Sequence, residues 1–246
     1  MEEKVLNKGP GVQTMFDAIA SRYDLMNRVM TMGQDQKWRR FVVKMAGKPN
    51  NGRVLDLATG TGDIAALMAD TWPDAGLVAA DFSLNMLRQA QRRFGRGRIA
   101  WQACDANNLP FADSTFSSIT FGYLLRNVDD VAGLLLEVRR VLKADGRVVC
   151  LDTTPPGKNF IYPFVRFYLR FIIPFLGKLI ADDENAYDYL TGSTMDFYTA
   201  EELAGIFRDA GFSGVGYKKF MFGTIAVHWA EKIVEDSNTV RRTGEK

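Results

Sequence analysis

Asp56, Gly60, Gly62, Asp63 and Asp81 have the types and spacings that capture a nucleotide-like ligand. Asp56 stands in the apolar run Val54-Leu55-Asp56-Leu57, Gly60-Thr61-Gly62 makes a turn, and Asp63 opens a helix that runs on from Ile64. Lacking a Cβ, the two glycines can take φ angles closed to other residues and leave bare main chain against a ligand. A dinucleotide would set its pyrophosphate on the helix N-terminus. S-adenosylmethionine would instead bring a sulfonium and an ammonium beside one carboxylate. With Asp56 and Asp63 flanking the turn, a pyrophosphate meets two carboxylates at short range, so charge favours the cationic ligand. Spacing alone decides less, because Gly60-Thr61-Gly62-Asp63-Ile64-Ala65 also fits the dinucleotide pattern with Ala at its third place. Asp81 ends the next apolar run, Leu77-Val78-Ala79-Ala80, where either ligand presents ribose hydroxyls. Taken singly, the three acids read as a strand end, a helix-start acid and a turn residue. Together around a Gly-x-Gly they read as a nucleotide site.

Further polar residues stand where predicted strands end. Asp105 and Ala106 follow a third strand, and Asp105 would either accept a hydrogen bond from an exocyclic amine or close an Asx turn. Gly122, Tyr123, Arg126 and Asn127 follow a fourth strand. Arg126 has a plain alternative in a surface pair with Asp129 or Asp130. Asp152 ends a fifth strand, a position suited to a proton acceptor in this architecture. Tyr23 and Asp24, from an N-terminal helix, could close over the ligand or simply cap and pack. His228 is the only histidine. On an alternating edge strand it reads as packed or hydrogen-bonded rather than as a base.

The elements that position these residues alternate. Strands are predicted at Arg53 to Leu57, Gly76 to Asp81, Arg98 to Gln102, Phe116 to Phe121 and Arg147 to Asp152. Helices lie between them: one from Ile64, one over Asn85 to Phe94 capped by Ser83, and one over Val131 to Leu142. An Asp145-Gly146 turn leads into the fifth strand. Thr199 and Glu202 form a capping box for a helix that Gly211 ends, and Val215 to Met221 with Thr224 to Ala230 form an antiparallel edge hairpin. The result is an α/β, doubly wound, mainly parallel sheet with helices on both faces. Five parts are expected: a helical cap over 1–45, a ligand-binding core over 46–157, an aromatic insertion or lid over 158–198, a C-terminal helix and hairpin over 199–234, and a solvated tail.

Composition narrows the classes. With 31 basic and 29 acidic residues in 246, the net charge of +2 gives no electrostatic case for nucleic acid. Cys104 and Cys150 lack metal or disulfide spacing, which suits a reducing cytoplasm, and no metal site is expected. No apolar run reaches the roughly 20 residues of a spanning helix. Residues 158–180 depart from the rest: Phe160, Phe164, Phe167, Tyr168, Phe171 and Phe175 alternate with Lys158, Arg166, Arg170 and Lys178, and Pro163 and Pro174 break the segment into short helical pieces. Such a segment fits an anionic membrane surface at the inner face of the cytoplasmic membrane, or a lid over a greasy substrate. The alternative is a helix buried in the core or in a homodimer.

The chain resembles the class I S-adenosylmethionine-dependent methyltransferases, and within them the ubiquinone/menaquinone biosynthesis C-methyltransferases. Phe16-Asp17, Tyr23-Asp24-Leu25-Met26-Asn27 and Trp38-Arg39 are similar to the family's N-terminal signature. Leu125-Arg126-Asn127-Val128 and Arg140-Val141-Leu142-Lys143 with Gly146-Arg147 are similar to its later ones, and Ala186 to Leu190 and Ile225 to His228 match more loosely. The resemblance implies a seven-stranded Rossmann-like sheet, S-adenosylmethionine as cofactor and a lipophilic quinol as acceptor. Cofactor contacts are expected at Asp56, Gly60, Thr61, Gly62, Asp81, Phe82, Asp105, Ala106 and Gly122. Gly122 replaces the family's serine, so a side-chain contact there is lost or moved. Other departures, Asp35 for His, Ala144-Asp145 for Pro-Gly, Asp152 for Glu and Gly192-Ser193-Thr194 for an acidic-serine pattern, cluster on the substrate side. Catalysis is expected from Arg126 stabilising a phenolate or orienting a water, with Asn127, Asp152 and Tyr23 in support.

Overall fold

A computed structural model describes residues 23–49, 52–95, 97–157, 160, 162–173 and 192–233. Expectations for the N-terminal arm, Phe16-Asp17, residues 174–191 with Ala186 to Leu190, and the tail lie outside the described residues.

Apolar runs bounded by turn residues become strands β1 (Arg53–Leu57), β2 (Gly76–Asp81), β3 (Ile99–Ala103), β4 (Phe116–Gly122) and β5 (Leu142–Thr153). Between them and before them lie α1 (Tyr23–Met30), α2 (Asp35–Ala46), α3 (Asp63–Thr71), α4 (Leu84–Phe94) and α5 (Val131–Val141). After β5 come α6 (Tyr162–Phe167), α7 (Ala200–Asp209), β6 (Phe212–Phe220) and β7 (Ile225–Lys232). The seven strands form one sheet in the order β3-β2-β1-β4-β5-β7-β6. β1 to β5 pair in parallel, and β7 joins β5 antiparallel with β6 outside it, the expected edge hairpin. The order reverses at β1, so the carboxyl ends of β1 and β4 flank the crevice where such sheets bind ligands.

Alternation along the strands sorts side chains into two cores. In β5, Val148 and Cys150 face α5 and α7 with Leu134, Val138, Leu203 and Phe207, while Val149 and Leu151 face α2 and α3 with Trp38, Val42, Ile64 and Met68. The expected caps form. Ser83 Oγ accepts from Met86 N, and Thr199 and Glu202 complete the reciprocal box.

One boundary differs from expectation for a local reason. β5 starts at Leu142, because Leu142 pairs with Phe116 before the register jumps to Ser118↔Arg147, so Asp145-Gly146 turns within a bulge. Pro163 stands in the first turn of α6, a short helical piece of the expected kind, where a missing N–H leaves no carbonyl wanting.

Candidate active site

Gly62 has φ +88 and is closed in: a Cβ there would lie 2.9 Å from Trp101 Cη2 and 3.1 Å from Ala90 Cβ. Gly60 has φ +56, and a Cβ there would meet nothing within 4 Å, so the main chain above it is open to a ligand. Asp81, at the end of β2, points at this turn, accepting from Gly60 N at 2.7 Å and Ser83 N at 2.8 Å. Cys104 N donates to Asp81 O, which draws the loop after β3 to the same edge. There Asp105 closes the Asx turn through Asn107 N at 2.9 Å, and its side chain is exposed beside half-buried Ala106. Arg140 holds that loop from below, donating to Leu109 O and Phe111 O while paired with Glu137 and Asp113. Phe82, exposed, follows Asp81.

The charge reading of the turn needs correction. Asp56 does not face outward: its two oxygens accept from Thr59 and Thr120 hydroxyls at 2.6 and 2.7 Å, and burial raises its pKa to about 6 against those two bonds. Asp63 is neutralised by Arg39 at 2.5 Å and Arg93 at 2.7 Å. Formal charges in a sequence do not show which are already paired in space. Asp81 is the carboxylate directed at the open glycine.

The N-terminal helix docks on the same turn. Asp24 accepts from Thr61 Oγ1 and from Arg93 at 2.6 Å each, and Arg93 also donates to Thr61 O. Arg39 extends the network to Asp35 at 2.6 Å, so Asp35 belongs to the glycine-turn side and not to the substrate side where it was expected. Tyr23 begins α1, and Asp24 makes the bridge. Sequence reasoning passed over Arg93, which reads as an unremarkable basic residue in the last turn of α4.

At the ends of β4 and β5, Arg126 and Asp152 come together. Gly122 pairs with Leu151, and a Cβ on it would lie 3.4 Å from Ile64, so this strand end sits against the start of α3. Tyr123 has φ +58, and Asn127 Nδ2 donates to Tyr123 O at 2.7 Å, fastening the turn that carries Arg126. Arg126 is 6 % exposed. It pairs with neither Asp129 nor Asp130 among the contacts described; Asp130 caps α5 instead. Its main-chain N donates to Asp152 Oδ2 and its Nη1 to Thr153 Oγ1, it lies over the Tyr123 ring, and its Nε is 3.8 Å from Asp152 Oδ1. That Nε is buried without a hydrogen-bond partner. Burial raises the Asp152 pKa, and the Arg126 charge opposes the rise.

His228 is packed, as its strand position implied. Nε2 donates to Ala200 O at 2.9 Å, the ring stacks on Phe207, and burial lowers its pKa to about 4. Burial raises the Cys104 thiol to about 11, so it is no nucleophile at neutral pH. Among the described residues no group of acids, histidines and cysteines could hold a metal, and no helix is long and apolar enough to cross a membrane.

Comparison with known proteins adds the following. A profile of the ubiE/COQ5 methyltransferase family matches residues 2–232. A ubiquinone/menaquinone biosynthesis C-methyltransferase of Desulfotalea psychrophila is 67% identical over 231 residues, 94% of each chain. A demethylmenaquinone methyltransferase of Roseiflexus castenholzii is 40% identical over 225 residues, 90% of this chain and 93% of that one. In structure, phosphoethanolamine N-methyltransferase 2 of Haemonchus contortus in complex with S-adenosyl-L-methionine matches with TM-score 0.61 at 15% identity, over 80% of this chain and 53% of that one, a likeness of fold.

Proposed function

The chain belongs to the ubiE/COQ5 methyltransferase family, and on that premise we propose that it methylates a ring carbon of a prenylated quinol. The reaction would convert demethylmenaquinol to menaquinol or perform the equivalent step toward ubiquinol. The cofactor is S-adenosylmethionine, which supplies an electrophilic methyl group when bound. The open main chain at Gly60 with Asp81 beside it fits such a ligand. Asp81 suits the ribose hydroxyls, Phe82, Asp105 and Ala106 the base, and Thr61 and Gly122 the walls, while Gly62, packed against Trp101 and Ala90, shapes the turn from behind. Asp56 would act from behind, by holding Thr59 and Thr120.

The observation that carries the acceptor side is the buried Arg126 Nε without a partner, beside Asp152. A quinol ring carbon becomes nucleophilic when a neighbouring hydroxyl ionises. A fixed guanidinium in a dry site stabilises that phenolate oxygen far more than water does. Asp152, its pKa raised by burial, takes the hydroxyl proton, and Thr153 and Asn127 keep Arg126 aimed. The C–CH3 bond would form as the donor's S–CH3 bond breaks, with S-adenosylhomocysteine leaving. The methylated carbon would then lose its own proton to restore the aromatic ring and the oxygen would recover one from Asp152, a net release of one proton. The remaining task is to hold donor and acceptor in line with water excluded. Mass spectrometry of a prenylated demethylquinol incubated with methyl-labelled donor tests this reading. The expected product carries the label on ring carbon; label on oxygen, or none, rejects it.

Contact with a membrane surface goes with such a substrate. Phe160 is 89 % exposed, Phe164, Phe167 and Phe171 are exposed too, and Arg166 and Arg170 stand among them. Aromatic side chains with cations suit the boundary of an anionic bilayer. Flotation with phosphatidylglycerol vesicles is expected to fall when Phe164 and Phe167 are both changed to Asp; unchanged flotation would remove this part of the reading.

A further inference from the structure

A cavity of ≈ 280 Å³ lies between three parts of the chain: Met32 after α1, Phe164, Val165 and Tyr168 after β5, and Met221, Phe222 and Thr224 between β6 and β7. The hydroxyls in its wall are already engaged. Thr224 Oγ1 donates to Met221 O at 2.8 Å, and Tyr168 Oη donates to Met30 O at 2.7 Å, which also pins this wall to α1. What remains facing the space is hydrocarbon and sulfur, so a polar occupant would lose hydrogen bonds on entering. The cavity adjoins the reaction side, because Thr154, two residues past Asp152, donates its N–H to Thr224 O at 2.9 Å.

The turn that forms one wall is strained. Met221 and Phe222 have φ of 46° and 57°, left-handed values that bulky residues keep only where the surroundings impose them. The strain leaves Phe222 67 % exposed while it still lines the cavity. An apolar hole of ~150 Å³ holds the six carbons of benzene. By that scale this one holds about ten carbons.

We propose that this cavity is the subsite for the first two isoprene units of the acceptor's tail, and that Met32 and Phe222 determine which tails are accepted. The assignment rests on the quinol reading above. Later units leave past exposed Phe164 and add nothing to recognition by the protein.

The test uses 2-prenyl-1,4-naphthoquinols with zero to four isoprene units, in lipid-free buffer so that bilayer partition plays no part. We expect kcat/KM to rise about tenfold for each of the first two units, the discrimination an apolar pocket gives, and to level off thereafter. Calorimetric binding of the same quinols, kept reduced, to the full chain without donor should break at the same length. Met32→Trp, which fills the hole, and Phe222→Ala, which unroofs it, should flatten the first two steps. A rise that continues through four units, no dependence on tail at all, or variants that lose tailed and tail-less acceptors in equal proportion would overturn the proposal. Wild-type protein that methylates none of the series would instead strike down the quinol reading.

Discussion

Around the glycine turn Asp24, Asp35, Arg39, Asp63 and Arg93 are paired with one another, whereas at the ends of β4 and β5 Arg126 keeps a buried Nε with no hydrogen-bond partner. The charges of the cofactor side are paired before any ligand arrives and hold the loop in shape. The acceptor side is left incomplete. An unpaired buried donor costs on the order of 1–3 kcal/mol, and at a strand end that flanks the crevice a ligand oxygen would relieve that cost. Close pairing of every charge on one side, and on the other a single looser pair that leaves the Arg126 Nε without a hydrogen bond, separate binding the donor from activating the acceptor.

The contrast breaks most directly at Arg126. Replacing it with Met should lower kcat by about 10² to 10³, the usual loss for a group that stabilises a developing oxyanion. Calorimetric affinity for S-adenosylmethionine should stay within threefold or so, since the arginine belongs to the other side. A loss of donor binding as large as the loss of rate would merge the two regions into one.

A second difference is in sign of pH response. Asp56, raised from 3.8 to about 6, lends stability that is complete below 3.8 and lost as pH climbs through 6. His228, lowered from 6.5 to about 4, lends stability that is complete above 6.5 and lost as pH falls through 4. Each amounts to about 3 kcal/mol by the usual conversion, and over one window they oppose. Urea unfolding between pH 4 and 7 should therefore show His228→Phe losing stability with rising pH relative to wild type, and Asp56→Asn gaining it. Parallel curves for all three proteins would refute both assignments.

The two glycines divide packing from binding within a single turn. Gly62→Ala should cost about 2 kcal/mol in thermal or urea unfolding, because its Cβ meets Trp101 and its φ is left-handed. Gly60→Ala has room, and should cost about 1 kcal/mol in stability while weakening donor affinity more than Gly62→Ala does. The smallest effect is expected at Arg93, which is partly exposed. Arg93→Met should weaken donor binding several-fold through loosening of α1, and cost at most about 1 kcal/mol in stability. That cost should shrink in high salt.

Much of this was legible in the sequence. The strand, glycine turn and helix at 53–71, the caps at Ser83 and Thr199, and the edge hairpin each follow from side chains within a few residues of one another. Asp152 and Arg126 were legible as strand-end residues, but their meeting was not, because β4 and β5 become neighbours only through the crossover by α5. Asp63 misled for the same reason: its charge was visible and its arginine partners, one 24 and one 30 residues away, were not.

The sequence by itself determined the order of elements, the crevice at β1 and the glycines that bare it, because periodicity, capping and φ limits act over short stretches of chain. Only the tertiary structure decided which charges are cancelled, that the Arg126 Nε lacks a hydrogen-bond partner, and that Met32, Tyr168 and Phe222 line one apolar space. Coulomb energy and packing depend on distance through space, and the Tyr168 bond to Met30 spans 138 residues of sequence.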